Sequence, residues 1–393
     1  MTISHKVAEA MKASSWIRRM FEEGARLKAQ HGAENVFDFS LGNPVVEPPS
    51  EVIAALVAAA GAKEPGVHRY MPNAGYPHVR AAVAGHLAAQ TGLPYTGDHV
   101  VMCVGAGGGL NVLFKALLDA GDEVIVLTPF FVEYGFYIDN HGGVCVKVPT
   151  DDAFLPDLDA IRRAITPRTK AVVINSPNNP TGVTYSAEVL DGLAGLLREE
   201  SARLGRPIVL VTDEPYRYIV YDVEVPWVQC HYEHTVLVTS HSKDLALPGE
   251  RIGFIAPAPG IPDVPALVAA LTFANRILGF VNAPATQQRA VASLQGRTVD
   301  PEIYRRKRDR ILPALREMGY AIVEPTGAFY IFPEAMGGDD VAFVRELQAE
   351  RILTVPGTGF GRPGHFRISY CVDDATIERS LPGFARVAAN HRT

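Results

Sequence analysis

TVLVTSHSKDLALPGERIGF, residues 235–254, is the stretch on which the fold turns. Thr235 to Thr239 is apolar and β-branched, and reads as a buried strand. It runs into two serines flanking His241, and then into Lys243. Burial disfavours a charged amine, so the end of a buried strand is a poor structural place for a lysine. It is a good chemical place if the amine forms a Schiff base with a carbonyl cofactor. Ser240, Ser242 and Arg251 close by would suit a phosphate on that cofactor. Taken alone, Lys243 is more simply a solvated lysine in a polar loop.

Outward from this stretch, alternating strands and helices run from His99 to Ala256. Strands are expected at Val100 to Val104, Glu123 to Leu127, Val144 to Val148, Ala171 to Asn175, Ile208 to Thr212, Thr235 to Thr239 and Ile252 to Ala256. Most are continuous apolar runs, as strands covered on both faces require. Helices fit at Gly109 to Leu118, Asp157 to Ile165 and Ala187 to Leu204. The pattern predicts an α/β domain with a mostly parallel seven-stranded sheet flanked by helices. Ligands of such sheets lie beyond the carboxyl ends of the strands. Gly105, Phe131, Asn179, Asp213 and Lys243 stand at or shortly after those ends.

Before the sheet, Ser14 or Ser15 can cap a helix with Ile17, Met20, Phe21, Gly24 and Leu27 on one face. Val36 to Leu41 is a short strand. Ser50 caps a helix reaching Gly61, and another runs from Tyr76 to Gln90. The long polar loop between them, Lys63 to Gly75, holds Tyr70. After the sheet, a long helix is expected over Asn282 to Arg297. A smaller α+β unit follows, with helices at Pro301 to Glu317 and Val341 to Glu350. Its strands are expected at Ala321 to Val323, Phe329 to Phe332, Ile352 to Val355 and Phe366 to Tyr370.

The 393 residues suffice for two domains. A net charge of −6 gives no basic footprint for nucleic acid. No apolar run is long enough for a membrane span, and no signal peptide is evident. The four cysteines form no CxxC pair and read as reduced thiols of a cytoplasmic protein. No metal site is expected, and His231 and His234 read as loop residues.

Several motifs can carry chemistry. Gly105-Ala-Gly-Gly-Gly109 follows a strand and opens a helix, where backbone N–H groups can meet a phosphate. A plain tight turn explains that loop equally well. Asn179, in the turn Asn175-Ser-Pro-Asn-Asn-Pro-Thr-Gly182, offers a neutral amide. Asp213, followed by Glu214-Pro215-Tyr216, needs a cationic partner if buried; a protonated pyridine nitrogen or a structural ion pair would serve. Phe131 can stack on a planar cofactor or fill the core. Arg367, in Phe-Arg-Ile-Ser, can grip a carboxylate.

Their order is the informative feature: glycine cluster, aromatic, NNPTG, DEPY, SxSK, Arg251, FRIS. From Leu41-Gly-Asn-Pro44 to Arg367 the chain resembles the class I/II, fold type I aminotransferases, which use pyridoxal 5′-phosphate. The resemblance implies a large cofactor-binding domain over 47–285 and a small domain from 1–46 and 286–393. It implies a covalent aldimine at Lys243, Asp213 against the pyridine nitrogen, and Asn179 and Tyr216 on the ring's phenolate oxygen. Phe131 would stack on the ring. Ala106, Gly107, Ser240, Ser242 and Arg251 would surround the phosphate, with Tyr70 reaching in from the other subunit of a homodimer. Arg367 would hold the substrate carboxylate, aided by Asn179 and Gly42.

The implied reaction moves an amino group from an L-amino acid to a 2-oxo acid, with 2-oxoglutarate the expected acceptor, by a ping-pong mechanism. A β-lyase or an amino-acid oxidase would share Lys243 and Asp213; against a non-catalytic cofactor-binding regulator stand the intact Lys243, Asp213 and Arg367. Aspartate-specific relatives carry an arginine before an Asn-x-Pro turn. Here Arg276 stands one residue out of register ahead of Asn282, which leaves a neutral or aromatic donor as open as aspartate.

Overall fold

The computed structural model of the protein describes residues 2–13 and 15–391, the side chains of 12–22 excepted. The cap expected at Ser14 or Ser15, and the face expected from Ile17, Met20 and Phe21, lie outside the described residues. The strands are β1 (Phe37–Asp38), β2 (Val101–Cys103), β3 (Glu123–Thr128), β4 (Val144–Pro149), β5 (Thr169–Asn175) and β6 (Val209–Asp213). They continue with β7 (Thr235–Ser240), β8 (Gly253–Pro257), β9 (Tyr330–Ile331), β10 (Ile352–Leu353), β11 (Val355–Pro356) and β12 (Phe366–Ser369).

Seven of them form one sheet in the order β2-β8-β7-β6-β5-β3-β4. All its pairings are parallel except those of β8, which runs antiparallel to β2 and β7. Alternate residues feed different cores. Val124, Val126, Val173, Val211, Val236 and Val238 pack with Leu110 and Phe114 of the helix Gly105–Leu117. Ile125, Val172, Ile174 and Leu210 pack with Leu193 and Leu197 of the helix Ala187–Leu204. Both faces are dry, which is why these strands read as unbroken apolar runs.

A two-stranded sheet pairs β1 with β10, and a three-stranded one has the order β11-β12-β9. Their core joins Phe37 and Phe39 to Tyr304, Ile311, Leu315, Phe329, Ile331, Phe366 and Phe384. Tyr216 and Ala246, at carboxyl ends of the large sheet, pack into this same core. The two packing units therefore meet where Asp213 and Lys243 lie.

Four expectations need correction. The glycine cluster is no loop: the helix starts at Gly105 itself. Gly105 (φ +68°) turns the chain out of β2, and a Cβ on Gly109 would stand 2.9 Å from Cys103 Sγ and Val238 Cγ1. The glycines let this helix lie close on the sheet. Ser50 is the first helical residue of Ser50–Ala60, and Pro49 holds the cap position. The long helix over Asn282 to Arg297 is only Ala285–Val291. Pro284 bars Ala283 from helical backbone, and Gly296 turns left-handed at φ +77°. Ala321 to Val323 is not a strand; Ala321 accepts from Glu334 N, and no ladder follows.

Candidate active site

Strand β7 delivers Lys243 into the short helix His241–Asp244, where the side chain is half-buried. Its Nζ donates to the Gly42 carbonyl at 2.6 Å. Burial lowers its pKa from the ordinary lysine value to about 8; Arg367 and Arg251 push the same way, and Cys371 opposes them. Near neutral pH much of the cost of making this amine a base is already met by its surroundings.

Asp213 ends β6, in register with Asn175 of β5 and Val238 of β7. The Tyr134 hydroxyl donates to its Oδ2 at 2.6 Å. Its Oδ1 is shut off from solvent and has no hydrogen-bond partner. Burial raises this carboxyl to about 7, with Glu214 adding to the rise and the Tyr134 bond opposing it. Asn175 ties the neighbouring turn: its Nδ2 donates to the Asp213 carbonyl at 2.7 Å, and its Oδ1 accepts from Asn179 N at 2.7 Å. The Tyr216 and Tyr330 hydroxyls share a 2.8 Å hydrogen bond, and burial raises both phenols.

One corner collects anion-binding groups. Ala106 and Gly107 are in the first turn of Gly105–Leu117, whose N–H groups have no partner within the helix. Ser240 Oγ donates to Ser242 Oγ at 3.1 Å. Arg251 adopts φ +54°, and its guanidinium lies against Gly105, where a Cβ would come within 2.6 Å of Nη2. Gly105 thus admits the guanidinium beside the helix terminus.

Arg367, on β12, is buried. Its Nη1 donates to Asn179 Oδ1 at 2.9 Å and its Nη2 to the Ser40 carbonyl at 2.6 Å. The guanidinium carbon sits 4.8 Å from the Tyr330 and Phe360 ring centres.

These groups line one cavity of about 330 Å³. Gly42, Ala106, Gly107, Phe131, Asn179, Asp213, Tyr216, Ser240, Ser242, Lys243, Arg251 and Arg367 all border it. Tyr70 does not: it is 90% exposed and flanks a separate hollow with Met71, Phe280 and Asn282. Arg276 is also outside, exposed and packed on Phe273. Sequence reasoning missed Glu133, Tyr134, Tyr137, Tyr330 and the tying role of Asn175. Tyr134 stands three residues after Phe131, a spacing that puts two side chains on one side of a turn. Tyr330 offers no such signal.

The residues fit pyridoxal 5′-phosphate. The orphaned Oδ1 of Asp213 calls for a buried cationic N–H, which a protonated pyridine supplies. The helix terminus, hydroxyls and guanidinium suit a phosphate. Among the described residues no cluster of metal-binding side chains is present, and no helix is long and apolar enough to cross a membrane.

Comparison with known proteins agrees over the whole length. The family model described as aminotransferase class I and II matches residues 34–382. The aspartate/prephenate aminotransferase of Thermus thermophilus is 35% identical, over 96% of this chain and 97% of its own. A solved amino transferase structure from Eubacterium rectale superposes with a TM-score of 0.96, at 38% identity over 100% of both chains. Aspartate aminotransferase from Thermus thermophilus with maleate gives 0.86, at 32% identity over 98% of this chain and 100% of that one. The chain belongs to the class I and II aminotransferases, enzymes that transfer an amino group with pyridoxal 5′-phosphate.

Proposed function

We propose that Lys243 is the residue that holds the cofactor and serves as the proton carrier of an amino acid:2-oxo acid transamination. When bound, pyridoxal 5′-phosphate supplies a carbonyl for the amine and a ring that accepts the electron pair left at the substrate α-carbon. Lys243 takes the α-proton on Nζ, a task its lowered pKa favours. Asp213 would stay ionised once its orphaned oxygen gained a cationic partner, and would so hold the ring nitrogen in its protonated form. Tyr216 and Asn179 would hold the ring oxygen, and Phe131 would pack on the ring. Ala106, Gly107, Ser240, Ser242 and Arg251 would bind the phosphate. Arg367, with Asn179 and the Gly42 backbone, orients the α-carboxylate so that the α-proton faces Lys243.

The observation that carries this reading is the pairing, in one cavity, of a buried carboxylate oxygen lacking a partner with an amine made less basic by burial. Residues 47–285 would form the cofactor-binding unit, with 1–46 and 286–393 the smaller one. An exposed Tyr70 outside its own cavity suits a homodimer in which each copy lends this tyrosine to the other. The unpaired cysteines suit a cytoplasmic enzyme.

The test is turnover of an amino-acid panel with and without an oxo-acid acceptor. Without acceptor, oxo-acid release stops after one equivalent per site. With it, double-reciprocal plots run parallel. Sustained release without any acceptor would overturn the reading.

A further inference from the structure

In that reading every charged side chain lining the cavity has a task except one. Asp213 serves the ring nitrogen, Arg251 the phosphate, Lys243 the reacting carbon and Arg367 the α-carboxylate. Glu133 serves none of them. It opens the helix Glu133–Asp139, two residues after Phe131, and borders the cavity. Its Oε2 is shut off from solvent and has no hydrogen-bond partner. Burial raises its pKa, while its own backbone N–H and the field of Arg367 hold it down. Arg367 makes no hydrogen bond to it: Nη1 donates to Asn179, Nη2 to Ser40, and Nε is itself buried without a partner. A buried carboxylate oxygen left bare costs free energy until a donor arrives.

We infer that Glu133 meets the side chain of the substrate, selecting amino donors whose side chains carry an N–H or O–H group and opposing a second carboxylate. The inference rests on the roles proposed above for Lys243 and Arg367, which fix the two ends of the substrate α-carbon unit. A second carboxylate would face Glu133 with no spare cation among the described residues lining the cavity. Lys243, Arg251 and Arg367 already have tasks in that reading, and Arg276 is packed on Phe273 outside the cavity. Two like charges brought together without a counter-charge repel, and they discriminate against the wrong partner. The oxo acid enters the same cavity, so a monocarboxylic acceptor such as pyruvate should be used better than 2-oxoglutarate.

Two measurements on the holoenzyme test this. The first is kcat/KM for lysine, glutamine and aspartate with pyruvate as acceptor, in the native protein and in Glu133→Gln. Lysine and glutamine should exceed aspartate by about tenfold or more, and Glu133→Gln should shrink the lysine-to-aspartate ratio by about tenfold. The second is the dissociation constant of maleate, a dicarboxylate with no amino group, followed by calorimetry. Maleate should bind Glu133→Gln about tenfold tighter than the native protein. A native preference for aspartate, or a ratio and a maleate affinity both unmoved by the substitution, would overturn the inference. Should the native protein transaminate no amino acid, the proposed roles fall, and the maleate titration still decides the place of Glu133.

Discussion

On the wall built by the large sheet, Asp213 keeps one buried oxygen without a donor. On the wall built by β12, Arg367 already places both terminal nitrogens on Asn179 and Ser40 and leaves only its Nε without a partner. The first group is left wanting by its own chain; the second is largely held by it. That difference matches two kinds of visitor. A cofactor that stays can complete a buried polar group for the life of the protein. A substrate that comes and goes must leave behind a site that remains ordered, so its clamp needs internal partners. Cofactor loss should therefore cost the fold more than substrate loss does.

The contrast can be broken or sharpened by substitution, with the largest effect at the lysine between the walls. Lys243→Ala should lower turnover by about 10⁴-fold, while added pyridoxal phosphate still raises the melting temperature through the untouched sheet wall. Near-normal turnover would remove Lys243 as the base. Next comes Asp213→Asn, which replaces a charge-assisted bond of ~1.5–3 kcal/mol. Equilibrium dialysis should then show cofactor held about tenfold to a hundredfold less tightly.

The cofactor-free protein gives a cleaner test of the same wall. Folding raises the Asp213 pKa from its ordinary value near 3.8 to about 7. The folded state thus binds more protons than the unfolded state between those values, and stability falls as pH rises through that window. Melting temperatures across it should decline in the native protein and change less in Asp213→Asn. An equal slope in both would assign the unmet oxygen no cost.

The clamp wall comes third. Arg367→Lys keeps the charge and loses the fork, so KM for the amino donor should rise by about tenfold or more with kcat less affected. The smallest effect belongs to Tyr134→Phe. Losing the one hydrogen bond that lowers the Asp213 pKa should move the pH midpoint of the cofactor-free melting curve upward, without flattening it.

The sequence disclosed these walls unequally, for a physical reason. In a parallel sheet covered on both faces, each strand is an apolar run, and its carboxyl end has one place to go. Asp213, Asn179, Lys243 and the glycine cluster were legible because their positions along the chain already set their places along a sheet edge. The second wall depends on contacts between distant segments. Tyr330 meets Tyr216, and Arg367 meets Ser40, only after two separate cores have packed. No local period encodes that. Nor does local sequence reveal Glu133, because an acidic residue opening a helix is commonplace and serves the helix terminus alone. The helix expected from 282 is cut short because Pro284 keeps the chain extended before Ala285 and Gly296 turns it left-handed. The expected strand at 321–323 fails because β-branched residues need a partner strand, and none runs beside them.

The antiparallel strand β8 has one more consequence. Ser240 of β7 faces Gly253 of β8, so everything between them is one loop pinned at both ends. That loop carries both the amine of Lys243 and the guanidinium of Arg251. Gly253 seals it: a Cβ there would stand 2.3 Å from the Thr239 carbonyl oxygen and 3.2 Å from the Gly105 backbone. The proposed reactive amine and the proposed phosphate anchor thus sit on one segment held at both ends by the sheet.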